Sequence, residues 1–377
     1  MNLPLFIEKT LKTIEQNGYE AYLVGGCVRD MIMGIQPHDY DITTNALPDN
    51  VKKMFSGYTV VETGLKHGTV TVVIDGENVE ITTYRIDGKY TDNRRPENVS
   101  FTQSLAEDLA RRDFTVNAMA YSPKRGITDL FQGREDIKRG VIRCVGKPDR
   151  RFEEDGLRIM RALRFSSVLG FKVDTETSDS LRRNKDLLSG ISSERILSEF
   201  SKLVCGISGA DIIRRYADVI SVFIPEISPM IKCSQNTKYH CFDVFEHTMR
   251  TFEYTPPKKN LRFGALFHDI AKPLCKTTDP DGTEHFKGHQ KKGEELAGRI
   301  LSRLKSDNHT KRYVCALVRL HDEKLKEDRI CLRKMLSMYS YEFLCDLLSL
   351  QKADSLSHAP GYRDFADKAD RIALMLD

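Results

Sequence analysis

Two aspartates one residue apart, Asp39 and Asp41 in HDYDITT, follow a glycine pair, Gly25 and Gly26, in LVGGCVRDMIMG. Alternation along a strand sets both carboxylates on one face and Tyr40 on the other. Carboxylates so close repel one another unless a cation lies between them, and Mg²⁺ takes one or two carboxylates together with substrate phosphates. The pair therefore reads as a metal site for chemistry at a phosphate. Gly25 and Gly26 let the backbone approach a triphosphate, with helix-terminal N–H groups and Arg29 to neutralise its charge. In VEITTYR, a candidate neighbouring strand, Glu80 is either a third carboxylate of this site or an ordinary exposed strand residue.

Further along, in EEDGLRIMRALRF, Asp155, Arg158, Arg161 and Arg164 recur every three residues. On a helix of 3.6 residues per turn this spacing draws a slowly drifting polar stripe, leaving Leu157, Ile159, Met160 and Leu163 to pack. Such a stripe is either a salt-bridged surface or a row of hydrogen-bonding groups for a ligand. Arg143, Lys147, Arg150 and Arg151 add to the cations between Arg139 and Arg164, a density suited to polyphosphate or a nucleic-acid backbone. A third constellation lies in the C-terminal part. An adjacent His–Asp pair ends the apolar run of LRFGALFHDIAKP, with histidines in DVFEHTMRT and HFKGHQKKG and an aspartate in LQKADSLSH.

These groups need elements to hold them. The first 140 or so residues alternate short β-branched runs with turns and helical patches, an α+β pattern with candidate strands in EAYLVGG, YDITT, YTVVET, GTVTVVIDG and VEITTYR. From Val141 onward strands nearly vanish and helical apolar spacing takes over. KCSQNTKYH, at 232–240, separates a second helical unit, and PLCKTTDPDGTEHFKGHQKKG reads as a long loop within it. The expected domains are therefore 1–140, 141–231 and 241–377. At 377 residues, 40% hydrophobic and 30% charged, the chain has the balance of a soluble globular protein, and its net charge of +4 argues little by itself. Nine scattered cysteines without a CxxC pair suggest neither a disulfide framework nor a Cys-based zinc site, and fit a reducing cytoplasm. The opening MNLPLFIEKTLKTIEQ is an amphipathic helix rather than a signal peptide, and no apolar run could span a bilayer, so no membrane partner is expected.

GGCVRDMIMG with DYDITT closely resembles the signature of the class II CCA-adding enzymes and bacterial poly(A) polymerases. RRDFTVNAMAY, ITDLFQGREDI, RFEEDGLRIMRALRFSSVLGF and ISSERILSEFSKLV are similar to the family's successive motifs in the same order, over about the first 205 residues. The resemblance implies a nucleotidyltransferase head with a mixed sheet, then an all-helical neck. It implies that Asp39 and Asp41 hold Mg²⁺, with Glu80 as a possible third catalytic carboxylate, to bring an RNA 3′ hydroxyl to the α-phosphate of a nucleotide. It makes Arg112 a nucleotide contact, beside Gly25, Gly26 and Arg29. Asp155 and Arg158 would meet the pairing edge of the incoming base, with Arg161 and Arg164 in support. A carboxylate accepts from the amino group that C and A share, whereas G and U present the wrong pattern.

The C-terminal residues resemble an HD phosphohydrolase. That likeness assigns His247, His268, Asp269 and Asp354 as ligands of a divalent transition metal, with His289 and Lys272 nearby; imidazole plus carboxylate suits Mn²⁺, Fe²⁺, Ni²⁺ or Zn²⁺. The function implied is addition of C, C and A from CTP and ATP to a tRNA 3′ end, accompanied by HD phosphohydrolysis. The alternatives are an A-adding, CC-adding or poly(A)-synthesising relative, or a protein whose main activity is HD hydrolysis. A polar stretch after Arg85 matches the place of a loop that the family uses for the final A. No equivalent of the family's C-terminal tRNA-holding tail is recognisable.

Overall fold

The computed structural model describes residues 3–62, 64–88 and 99–376. The chain divides into two compact units, Met1–Ala162 with Phe171–Leu187, and Leu163–Gly170 with Leu188–Asp377. The division falls inside one helix, Leu157–Leu169.

The first unit is built on a mixed seven-stranded sheet. Its strands are Ala21–Val24 (β1), Asp41–Thr44 (β2), Thr59–Val61 (β3), Thr69–Ile74 (β4) and Glu77–Thr83 (β5), with Met119–Ser122 (β8) and Gly126–Asp129 (β9); Arg85–Asp87 (β6) and Val99–Phe101 (β7) pair separately. The sheet order is β3-β4-β5-β2-β1-β8-β9, with β2 and β5 parallel and their neighbours antiparallel. Alternation explains the strands. Val70, Val72 and Ile74 of β4 and Val79 and Ile81 of β5 are fully buried, and the residues between them face outward or are half-buried. A one-residue slip would turn every one of these side chains over, so burial fixes the register. The opening helix, Leu5–Gln16, seats Ile7, Leu11 and Ile14 on this core, whereas Leu5 is 81% exposed.

The sequence predicts Asp155 on the same helix as Arg158, Arg161 and Arg164; the structure breaks the helix there. One helix ends at Glu154, the next begins at Leu157, and Asp155 is extended at φ −144°, ψ 105°. Its Oδ1 accepts the Leu157 N–H at 3.0 Å, a local cap that competes with helix continuation, and Gly156 follows. The apolar set Leu157, Ile159, Met160 and Leu163 is buried as expected.

The second unit is helical. Its long helices include Ser193–Val204, Val244–Tyr254, Lys259–Phe267, His289–Arg303, Asn308–Leu320 and Tyr341–Leu356. Asp243, Asp307 and Ser340 cap three of them by accepting the N–H of Glu246, Thr310 and Phe343. Tyr341–Leu356 is buried on most sides, including Asp346, Gln351 and Asp354, which marks it as the central helix of its bundle. The long loop predicted over 273–293 is shorter than expected. Thr277–Thr278 and Glu284–His285 form a small hairpin, and a helix starts at His289 because Leu296, Ala297, Ile300 and Leu301 give it an apolar stripe. No helix among the described residues is long and apolar enough to cross a membrane, and all nine cysteines are free.

Candidate active sites

Strand pairing in the first unit brings the predicted carboxylates together. Asp41 opens β2 and stands directly opposite Glu80 of β5 in parallel register. Asp39 precedes the strand. All three are exposed, while Tyr40, Ile42, Val79 and Ile81 between them are buried. Desolvation, then the Glu80 and Asp39 charges, push the Asp41 carboxyl above its usual value, with Arg112 opposing. A carboxylate raised in this way is under-neutralised, the condition that a bound cation relieves. The sign follows. Because the folded state holds the Asp41 proton more tightly than the unfolded chain, metal-free protein loses stability as pH rises through the raised carboxyl range. Asp41→Asn is therefore expected to melt at a higher temperature than the parent in chelator at pH 7, with the gain shrinking on acidification. Mg²⁺ should raise the melting temperature of the parent and leave the variant unmoved; calorimetry at two pH values checks both.

Gly25, between β1 and its helix, has φ +76° and ψ −134°, a conformation that side chains avoid. A Cβ there would lie 3.1 Å from Arg112 Nη1 and 3.9 Å from Asp41 Oδ2, so the glycine leaves room between a guanidinium and a carboxylate. Arg112 is held through Nη2 by buried Asp108 at 3.4 Å, and its Nε is buried without a hydrogen-bond partner. Arg29 is turned inward. Its Nη1 donates to Asn117 at 2.8 Å and its Nε to Asp30 at 2.9 Å.

The arginines beyond Asp155 are each engaged by the protein. Arg158 is buried and donates to Glu154 at 2.7 Å and to the carbonyls of Arg151 and Arg111 at 3.2 and 3.1 Å. Arg161 Nε donates to buried Asp113 at 2.7 Å. Burial disfavours that carboxylate, but Arg161 and Arg158 outweigh it and hold Asp113 at about 2. Arg161→Met would strand the charge. Arg161 is itself one-third exposed, so water offsets part of the loss, and a destabilisation of about 2–3 kcal/mol is expected in denaturant melts at pH 7. The difference should narrow as pH falls below the ordinary aspartate range and Asp113 is protonated. Arg164 falls in the second unit, where its Nε donates to Glu199 at 2.8 Å and its guanidinium covers the Phe165 ring at 3.5 Å.

Within the second unit, His247, His268, Asp269 and Asp354 converge. His247 Nε2 lies 3.1 Å from Asp354 Oδ1 and 3.6 Å from Asp269 Oδ2, and His268 Nε2 lies 3.2 Å from Asp269 Oδ2. His289 joins them, 3.4 Å from Asp269 Oδ1. So does His321, which sequence reasoning missed, at 3.7 Å from the same oxygen. The missed signal was a second His–Asp pair, His321–Asp322, closing the apolar run of CALVRLHD. His240 and His358 were missed as well; each lies within 4.8 Å of His247 in ligand-atom terms.

The donors are oriented for a cation. Nδ1 of His268, His289 and His321 faces the carbonyl of Ala265, Phe286 and Val318 at 2.7, 2.8 and 2.7 Å. A carbonyl only accepts, so each Nδ1 carries a proton and each ring turns its Nε2 edge inward. His268 Nε2 and Asp269 Oδ1 are fully buried without a hydrogen-bond partner. Burial opposes charge throughout, yet Asp269 is held well below the carboxylate range by His268 and Lys272, and Asp354 by Lys324 and His247. Burial and His268 push His321 down to about 3, leaving it neutral. Against burial, the Asp269 and Asp354 charges push His268 up, so a cation that takes its Nε2 would displace a proton there. Among the described residues three groups have ligand atoms within 4.8 Å of one another, His240–His247–His358, His247–His268–Asp354 and Asp269–His289–His321; the last two each include a carboxylate and fit a divalent metal. A cavity of about 1030 Å³ is lined by Asp269, His289, His321 and Asp354, and also by Lys272, Tyr239, Phe286 and His358.

Three segments match known families: residues 21–143 the "Poly A polymerase head domain", 170–230 the "Probable RNA and SrmB-binding site of polymerase A", and 237–359 the "HD domain". The CCA-adding enzyme of Lactobacillus helveticus is 50% identical over 196 residues, 52% of this chain and 49% of that protein. That of Ligilactobacillus salivarius is 48% identical over 208 residues, 54% and 51% of the two chains. The chain thus spans about half the length of the curated relatives it matches. The crystal structure of the Bacillus stearothermophilus CCA-adding enzyme in complex with CTP covers 99% of this chain and 83% of its own, with a TM-score of 0.70 and 28% identity. The family resemblance carried by the sequence motifs is borne out, as is the α+β head followed by a helical region with an HD domain.

Proposed function

From a chain that carries a poly(A) polymerase head, an RNA-binding segment and an HD domain in that order, we propose template-independent addition of C, C and A to the 3′ end of tRNA from CTP and ATP. The observation that carries this reading is the Asp41–Glu80 register beside Gly25, with Arg112 across the gap. Asp39, Asp41 and Glu80 would hold Mg²⁺, which when bound screens the triphosphate and favours the ionised 3′ hydroxyl. The chain's own residues do the rest. The missing side chain at Gly25 admits a phosphate, Arg112 supplies a guanidinium to it, and Asp108 fixes that guanidinium. Asp155, whose Oδ1 accepts the Leu157 N–H, would present its carboxylate to the amino group common to C and A. Buried Arg158 steadies the turn that carries it through the Arg151 and Arg111 carbonyls. Of the stretch between Arg85 and Asp113, at the place of the loop tied to final A addition, 89–98 lies outside the described residues.

A second activity rests on the histidine cluster. His247, His268, Asp269 and Asp354, with His289 and His321, would hold one or two divalent transition metals that supply a Lewis acid for phosphoester hydrolysis. Lys272, 2.7 Å from Asp269, lines the cavity and adds positive charge for a phosphate there, while Lys324 pairs with Asp354 at 2.6 Å.

Transcripts of tRNA ending before CCA, after C and after CC, each incubated with labelled CTP or ATP, test the main reading. C should join the first two and A the third. Incorporation of A alone on every transcript would favour an A-adding or poly(A)-synthesising enzyme, and no incorporation would overturn nucleotidyl transfer.

A further inference from the structure

In the second unit, helices His289–Arg303 and Asn308–Leu320 border an open groove of about 840 Å³. Gly298, Cys315 and Ala316 line its middle with small side chains; Arg299, Ser302, Lys311 and Arg312 line it as well, together with Glu294 and Glu295. Arg299 and Arg312 are exposed and, among the described residues, enter no ion pair, and Lys311 reaches only Ser302 Oγ, at 3.4 Å. Glu294 is drawn toward Arg319 at 3.8 Å, which offsets its repulsion of an anion. The adjacent cations behave differently. Arg303 grips Glu226 at 2.7 Å and Lys305 grips Glu194 at 2.8 Å, so the end of helix His289–Arg303 is fastened to the segment whose sequence matches an RNA-binding region. The unspent cations thus continue directly from that segment.

We propose that this groove docks the phosphate backbone of RNA, extending the contact surface of segment 188–230 onto the helical HD unit. The inference rests on the reading of RNA as the substrate. Two unpaired guanidiniums and an ammonium around small residues suit phosphodiester oxygens, which accept forked hydrogen bonds and need no sequence-specific shape. No large apolar side chain lines the groove, which disfavours a protein helix as occupant.

The test is Arg299→Glu, Lys311→Glu and Arg312→Glu combined in the full chain, with the fold checked by circular dichroism and melting. Binding of a tRNA transcript lacking its last three nucleotides is measured over a series of KCl concentrations. At low salt, Kd should rise about tenfold or more, and the slope of log K against log salt should fall by about three, one for each lost phosphate contact. The KM for CTP should stay unchanged. The combined Arg299→Lys and Arg312→Lys variant should keep most of the affinity. A folded triple variant with the parent's Kd and salt slope would overturn the proposal, as would failure of the parent to bind the transcript. If the parent binds it without adding nucleotides, the proposed activity fails while the groove is still decided by Kd.

Discussion

Asp41→Ala is expected to lower nucleotide incorporation about a thousand-fold or more, equivalent to at least ~4 kcal/mol of transition-state stabilisation, while the head stays folded. The size follows from position. Asp41 is the carboxylate at the meeting point of β2, Glu80 and the Gly25 turn, so its loss would remove the proposed metal ligand nearest the gap between Gly25 and Arg112. Folding is spared because the side chain faces solvent, and the core beneath it, Ile42 and Ile81, is untouched. Asp39→Ala should behave similarly. Glu80→Ala distinguishes a third ligand from a neighbour that only tunes Asp41: a ligand's loss costs about a hundred-fold or more, whereas a tuning charge costs about tenfold or less. Single-turnover rates with saturating Mg²⁺ measure all three. An Asp41→Ala variant with a tenth or more of the parent rate would remove Asp41 from the site.

His268→Ala combined with Asp269→Ala should strip the second unit of bound transition metal and reduce any phosphomonoesterase or phosphodiesterase activity at least a hundred-fold, with nucleotide addition largely kept. Asp269 is the residue both ligand groups share electrostatically. Its Oδ2 faces His268 and His247, and its Oδ1 faces His289 and His321. Removing it therefore affects both positions, whereas His321→Ala should cost only the second. Metal content by mass spectrometry of purified protein separates these outcomes. Equal metal content in the parent and the double variant would contradict the assignment.

Much of this was legible in the sequence because it is local. The period-two burial of β4 and β5 and the exposed–buried–exposed run of Asp39, Tyr40 and Asp41 are pattern features, and GGCVRD announced the turn at Gly25. The break at Asp155 was hidden by its spacing. A three-residue recurrence imitates a helix face, and only the Asp–Gly dipeptide, whose side chain captures the Leu157 N–H, shows that the chain turns there. The inward commitment of Arg158 and Arg161 was illegible too, since Asp113 and the Arg111 carbonyl lie far off in sequence. The histidine cluster was half read. His268 and Asp269 sit side by side, but His240, His321 and His358 reach the site from separate elements, and no local period signals their convergence on helix Tyr341–Leu356.

The central claim is tested most directly by sequencing the 3′ ends formed when the purified protein acts on a tRNA transcript lacking CCA in an equal mixture of all four nucleoside triphosphates. The account predicts ends of C, then CC, then CCA, with growth stopping there and with G and U rare. Tails of repeated A, or ends of mixed composition that keep growing, would contradict it.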